Sequence, residues 1–159
     1  MSEHFEVERL ITAAPADVFA LLCDPQGHVA IDASGMLQDA SGDHVTAAGD
    51  TFVVHMDRES LHDIADYGQY DVIVTIEEFE QDRLITWSIL GRVRPGMGHR
   101  YGYRLEPHDD GTRVTSIYDW SQVSQDWKDS GVFPVVSETN LRGTLGILDR
   151  TVRRGYMRP

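Results

Sequence analysis

The order of elements predicts an α+β fold in which a curved antiparallel sheet wraps one long C-terminal helix. Three observations carry this. A short amphipathic strand comes first and runs into a helical patch that ends at Asp24-Pro25. A long stretch of two-residue alternation fills the middle of the chain, and only the last segment returns to helical spacing. A curved sheet with a single long helix buries that helix on its concave face, and such a wrap tends to leave a cavity between the two. The expectation is an interior small-molecule site.

Each element has its own signal. Residues 4–13 alternate, with Phe5, Val7 and Ile11 on one side, and read as a strand. Pro15 suits the first turn of a helix that runs to about residue 23, with Val18, Leu21 and Leu22 inward. Asp24-Pro25 caps a second short helix through Ile31, and Ala33-Ser34-Gly35 is a turn. Strands are expected over 36–40 and 50–57, the latter with Phe52, Val54 and Met56 on one face. Residues 58–67 are the least strand-like part of the middle and read as a loop or lid, in which Ser60 with Asp63 would cap one helical turn.

Residues 69–78 put Tyr70, Val72, Val74 and Ile76 on one face, and 80–83 are a turn. The strand over 84–90 groups Ile85, Trp87 and Ile89, and Pro95-Gly96 marks the next turn. His99, Tyr101, Tyr103 and Leu105 then share a face. Asp110-Gly111 is the tight-turn dipeptide of a hairpin, leading to a last strand with Val114, Ser116, Tyr118 and Trp120 together. A connecting loop over 122–133 carries Trp127 and Phe133. Pro134 opens the last helix, which runs to about Gly155 with Leu141, Leu145, Leu148 and Val152 towards the sheet.

Bulk properties narrow the function. A length of 159 residues with 41% hydrophobic content suits one domain over the whole chain. The formal net charge of -12 argues against nucleic acid, whose binding rests on Lys and Arg neutralising phosphates, and against anionic membrane surfaces. The basic cluster Arg150, Arg153, Arg154 and Arg158 reads as a helix C-terminus complementing its dipole. Cys23 is the only cysteine, so no intrachain disulfide forms, and its apolar surroundings make it a small buried hydrophobe. The N-terminus lacks a signal-peptide pattern, and no run approaches the ~20 apolar residues of a membrane span. A cytoplasmic protein is expected.

At this point the chain resembles a known superfamily. Residues 11–25, from Ile11 through Ala14-Pro15 to Asp24-Pro25, resemble the strand-to-helix opening of the helix-grip or SRPBCC proteins. These include polyketide cyclases and START-type lipid carriers. Arg83-Leu84-Ile85-Thr86-Trp87 resembles their middle hairpin. Residues 101–107 and 111–115 resemble their last two strands. His28, Ile31-Asp32 and Ser34-Gly35 resemble an opening found in an actinobacterial branch. The resemblance covers nearly the whole chain. It implies a seven-stranded sheet around the C-terminal helix, two short helices after the first strand, and an internal apolar cavity. It does not imply one function, because this fold hosts carriers, cyclases, hormone receptors and chaperone activators.

The expected pocket lining is Phe52, Met56, Trp87, His99, Tyr101, Tyr103, Tyr118, Trp120, Leu141, Leu145 and Leu148. Plain core packing would explain any one of these aromatics. Several polar-tipped rings converging on one interior suggest a ligand pocket instead. Catalytic candidates are His99, as a base beside a ketone, Tyr103, whose hydroxyl would hold an enolate oxygen, and the carboxylates Asp32 and Asp119. The plainer reading of His99 is a histidine satisfied by a neighbour. His28 and Asp32 lie four apart on one helix face, where a polar cap is the preferred reading and ligand orientation the other. His55 and Asp57 share a strand face, and His62 with Asp63 follow. No metal-ligand spacing, phosphate loop or nucleophile elbow is present, so no metal or cofactor is expected. Gly143 and Gly146 inside the last helix imply either close approach to a strand or room for a ligand.

Two classes follow. One is a carrier or sensor for a hydrophobic small molecule, lipid-like or polyketide-like. The other is a polyketide cyclase or dehydrase-like enzyme. A chaperone-type partner ranks last on so acidic a surface. The short strand beginning at Met36, as a sheet edge, offers a surface for a homodimer.

Overall fold

The first and last strands of this chain lie side by side, and that pairing closes its architecture. A computed structural model describes residues 2–62, 67–92 and 95–159. Strand β1 (His4–Ile11) leads into helices α1 (Pro15–Cys23) and α2 (Pro25–Ile31). Strands β2 (Leu37–Ser41), β3 (Thr51–Asp57), β4 (Gln69–Glu80), β5 (Leu84–Leu90), β6 (Arg100–His108) and β7 (Gly111–Asp119) then form a meander. The short helix α3 (Gln125–Asp129) and the long helix α4 (Glu138–Arg153) complete the chain. The seven strands run in the order β1-β7-β6-β5-β4-β3-β2, every pair antiparallel. Bulges between Leu37 and Asp39 and between Ile76 and Glu78 break the register and help bend the sheet.

Alternation decides which face is covered. Phe52, Val54 and Met56 of β3, and Val72, Val74 and Ile76 of β4, are all buried. On α1, Val18, Phe19, Leu21 and Leu22 are buried. On α4, Leu141, Leu145 and Leu148 are buried at helical spacing. Burying such a side chain contributes roughly 1.5–3 kcal/mol, so these stripes hold the helices to the sheet.

Asp24 ties the two ends of the chain together. Its side chain accepts from the Gln26 amide at 3.1 Å as the cap of α2. It also accepts from the Tyr156 hydroxyl at 2.8 Å, and Arg158 Nε lies 3.3 Å away. The C-terminal arginines therefore do more than complement a helix dipole. Arg153 pairs with Asp149 at 2.6 Å, Arg9 reaches the same carboxylate at 2.7 Å, and Arg158 pins the tail to the α1–α2 junction.

Several boundaries differ from expectation, most by one or two residues, and four differences are larger or have a clear cause. The β6–β7 turn is Asp109-Asp110 and not Asp110-Gly111, because Gly111 already pairs with His108. At its φ of 142° an added Cβ would collide with the Ile11 carbonyl oxygen, so this glycine serves close strand approach. The last helix starts at Glu138, four residues after Pro134, where the Ser137 side chain accepts from the Asn140 amide at 3.0 Å. Val135 and Val136 stay outside the helix and pack against the core. The loop after β7 contains α3. Residues 59–61 form a single 3-10 turn, and Asp63, the other half of the expected cap, lies outside the described residues.

Candidate functional site

Helix α4 does not cover the concave face evenly. It packs against β1, β7, α1 and α2, over one half of the sheet. The other half, formed by β3 to β6, is closed by α2, the start of α4 and the segment before it. The leftover space is there.

A cavity of about 130 Å³ lies against Phe52, Met56, Val74, Trp87, Tyr101 and Tyr103 from the sheet, with His28 and Ile31 from α2, Asp32 just after it, and Leu141 from α4. A second, of about 260 Å³, lies where β3 and β5 end, against Arg58, Tyr70, Arg92, His99, Trp127 and Val135. Met36, Met56, Val72, Ile89 and Tyr101 border both, so the two adjoin. Together they just exceed the roughly 300 Å³ at which small-molecule sites begin.

The expected lining thus divides. Phe52, Met56, Trp87, Tyr101, Tyr103 and Leu141 border the first cavity, and His99 borders the second. Tyr118, Trp120, Leu145 and Leu148 border neither, which corrects the expectation for these four. They lie under the half of the sheet that α4 covers, and Tyr118, Leu145 and Leu148 are completely or almost completely buried there. Asp119 also borders neither. It lies at the end of β7, where its carboxylate accepts from the Ser121 amide at 2.7 Å. Gly143 meets Ala33 rather than a strand, its added Cβ lying 3.2 Å from the Ala33 Cβ, and it borders neither cavity. Gly146 borders neither cavity.

The polar groups are held by local structure. His28 Nε2–H donates to the Leu22 carbonyl at 2.8 Å, a contact set by the tight α1–α2 junction. Its ring stands edge-on to Trp87, with centroids 4.9 Å apart. Burial lowers its pKa, so the neutral ring serves as a flat wall of the cavity. Asp32 ends α2 and accepts from the Ser34 amide and hydroxyl at 3.0 and 2.7 Å and from the Leu37 amide at 3.1 Å. Both of its oxygens are thus engaged in holding the turn into β2, beyond the helix end, while the residue also borders the first cavity.

His99 Nδ1 lies 2.8 Å from the Tyr118 hydroxyl. Burial alone pushes its pKa down to about 4. It is neutral at pH 7 and a weak base, far from the poised value that proton abstraction favours. Burial likewise pushes the phenols of Tyr101, Tyr103 and Tyr118 well above their ordinary range. These histidine and tyrosine side chains are therefore neutral hydrogen-bonding groups around an apolar body.

Outside the cavity, His55 pairs with Asp71 across β3 and β4 at 2.7 Å on an exposed face. Among the described residues no group of three or more His, Cys, Asp or Glu side chains could hold a metal. None of the described helices is long and apolar enough to cross a membrane. The Cys23 thiol is buried, and burial followed by the Asp82 charge pushes its pKa up to about 12. Iodoacetamide at pH 8 should leave it unmodified in the folded protein and alkylate it fully in denaturant, read by intact mass.

Sequence reasoning missed Met36, Arg58, Arg92, Asn140 and Thr144 as lining. Alternation could have placed Val72 and Val74, which share the buried face of β4. Arg58 and Arg92 carry no local signal, since Arg58 directly follows β3, Arg92 lies two residues past β5, and only pairing brings them to one end of the sheet.

The fold recurs widely among solved structures. A Rhodobacter sphaeroides protein aligns with a TM-score of 0.69 at 14% identity, over 98% of this chain and 95% of its own. A Chromobacterium violaceum protein gives 0.65 at 13% identity, over 96% and 98%. The Aha1 dimer from Colwellia psychrerythraea gives 0.63 at 15% identity, over 97% and 98%. At these identities the likeness is one of fold. No curated protein matches the chain. A family model described as polyketide cyclase/dehydrase and lipid transport matches residues 2–153, and over that span, with the same sheet and helix arrangement, the chain belongs to this family.

Proposed function

We propose that this protein binds a hydrophobic or aromatic small molecule in the adjoining cavities between the β3–β6 half of the sheet and the α2–α4 helices, as a carrier or sensor. The observation that carries this is the placement of the space. It is walled mostly by apolar and aromatic side chains, with a few polar groups among them, the neutral His28 and His99 and the charged Asp32, Arg58 and Arg92, as ligand sites are. Its modest volume favours a compact ring system or a short chain over a long lipid. An acid–base enzyme draws less support, because His99 is a weak base and the Asp32 oxygens already accept three hydrogen bonds.

Native mass spectrometry of the purified protein, compared with the denatured chain, tests this. The expected result is a retained small mass that disappears on denaturation, with weaker retention after Trp87→Ala or Tyr103→Ala. A protein with no retained mass that takes up neither 2-naphthol nor decanoate from solution would count against it. A homodimer through β2, an edge strand of the sheet, belongs to the same proposal and is read by light scattering after gel filtration.

A further inference from the structure

The first cavity has a polar end, made where α2 stops and α4 starts. Asn140 and Thr144 lie four apart on α4, so both project from one face of its first two turns, and both border the cavity beside Leu141. Asp32 follows directly after α2 and borders the same space. A hydrogen bond joins the two elements there, the Ala33 amide donating to the Thr144 Oγ1 at 3.3 Å. Met36, Val136 and Asn140 also border a surface groove, so the cavity adjoins the outside on this side.

The three side chains keep unused hydrogen-bonding capacity of complementary kinds. A carboxylate has about four lone-pair positions. Asp32 fills two on Oδ1, with the Ser34 amide and hydroxyl, and one on Oδ2, with the Leu37 amide. Its Oδ2 can therefore accept once more. The Thr144 hydroxyl accepts from Ala33 and, among the described residues, gives its own proton to no acceptor. The Asn140 carboxamide makes no hydrogen bond among the described residues, and only its backbone amide is used, by the Ser137 cap. Asp32 also stands near the Tyr103 phenol, whose pKa is pushed up by burial and then by that charge.

A hydroxyl is the group that uses this set in full. It donates to Asp32 and accepts from Thr144 or Asn140. An acid group would meet the Asp32 charge, and an ammonium has no lone pair for the two donors.

We infer that the ligand is an uncharged hydroxyl compound, a phenol or alcohol on a compact apolar body, with its hydroxyl held by Asp32, Asn140 and Thr144 and its body lying inward along Tyr103 and Trp87. This rests on the ligand-binding reading above and narrows it to a substrate class. A hydrogen bond to a charged acceptor is stronger than one between neutral groups, so Asp32 carries most of the discrimination.

Three naphthalenes that share one body test it by calorimetry at pH 7: 2-naphthol, 2-methylnaphthalene and 2-naphthylmethylammonium. A plain apolar cavity would favour the methyl compound, which gives up no hydrogen bond on leaving water. The wild-type protein should instead bind 2-naphthol at least about tenfold more tightly than 2-methylnaphthalene. Asp32→Asn should erase most of that preference, and Asn140→Ala should reduce it without weakening 2-methylnaphthalene. The Asn140 side chain holds no bond of the fold, so Asn140→Ala should fold normally, which a thermal melt checks. Asp32→Asn loosens the turn into β2 and serves as a second variant where it folds. Equal binding of the two, or tighter binding of the methyl compound, would overturn the hydroxyl assignment and leave the cavity reading standing. Tightest binding of the ammonium would overturn it in favour of a cation. Binding of none of the three would overturn it and count against the cavity reading as well. A preference untouched by Asn140→Ala and by a folded Asp32→Asn would overturn the placement of the hydroxyl.

Discussion

Leu148→Ala should lower the unfolding free energy by about 3 kcal/mol, read as a shift in the urea midpoint at unchanged slope. Leu148 is 0% exposed and sits on the α4 face that covers the β1–β7 half of the sheet. Truncation removes its transfer energy and leaves a hole that packed neighbours only partly fill. The site borders neither cavity, so ligand retention should survive the substitution wherever the protein remains folded. Leu141→Ala is the informative contrast. Leu141 already borders open space, so its truncation should cost less, about 2 kcal/mol, while enlarging the first cavity. A loss below about 1 kcal/mol at Leu148 would contradict the packing of α4 described here.

Acid should weaken the fold well above the pH at which its carboxylates titrate. His99 has a pKa of about 4 in the folded protein against an ordinary 6.5. Above pH 6.5 the ring is neutral in both folded and unfolded chains, and the full stability is present. Between 6.5 and about 4 the unfolded chain takes up a proton that the buried ring refuses, so stability falls as pH falls. Complete titration of this one group corresponds to about 3 kcal/mol. The ring is surrounded by Tyr101, Tyr118 and Phe133, none of which supplies a negative charge to relieve it. His28 shifts in the same direction through burial and adds to the effect. Asp149 acts later. Burial would raise its pKa, but its bonds to Arg153 and Arg9 outweigh that and hold it low, so its contribution is lost only at more acid pH. Urea unfolding from pH 7.5 to 4.5 should show a steep decline in the wild type and a shallower one in His99→Gln. Identical slopes would rule out His99 as the source.

Much of the fold was legible because its signals are local. The start of α1 at Pro15, the cap and first-turn proline of α2 at Asp24-Pro25, and the limits of β5 all follow from neighbouring residues, and the structure has them as expected. The start of α4 was misread because Pro134 is a permitted helix opener, whereas Ser137 supplies the cap that the amide of Asn140 uses. The β6–β7 turn was misread because a glycine after an aspartate suits a tight turn. Gly111 is needed instead where β7 passes close to the end of β1.

The candidate site was legible by face but not by position. Alternation placed Phe52, Met56, Trp87, Tyr101 and Tyr103 on one surface, and all five border the first cavity. The same rule grouped Tyr118 and Trp120 with them, although these lie at the other side of the sheet, where α4 leaves no room. Periodicity carries no information about how a helix divides the surface it covers.

The sequence by itself determined the α+β class, the strand faces and the apolar stripe of the last helix, because each depends on residues a few positions apart. Only the tertiary structure decided that α4 settles on the β1–β7 half, that the space remains over β3–β6, and that Arg58 and Arg92 meet at one end of it. Those outcomes depend on strand pairing and helix packing between residues far apart in the chain, for which no local pattern codes.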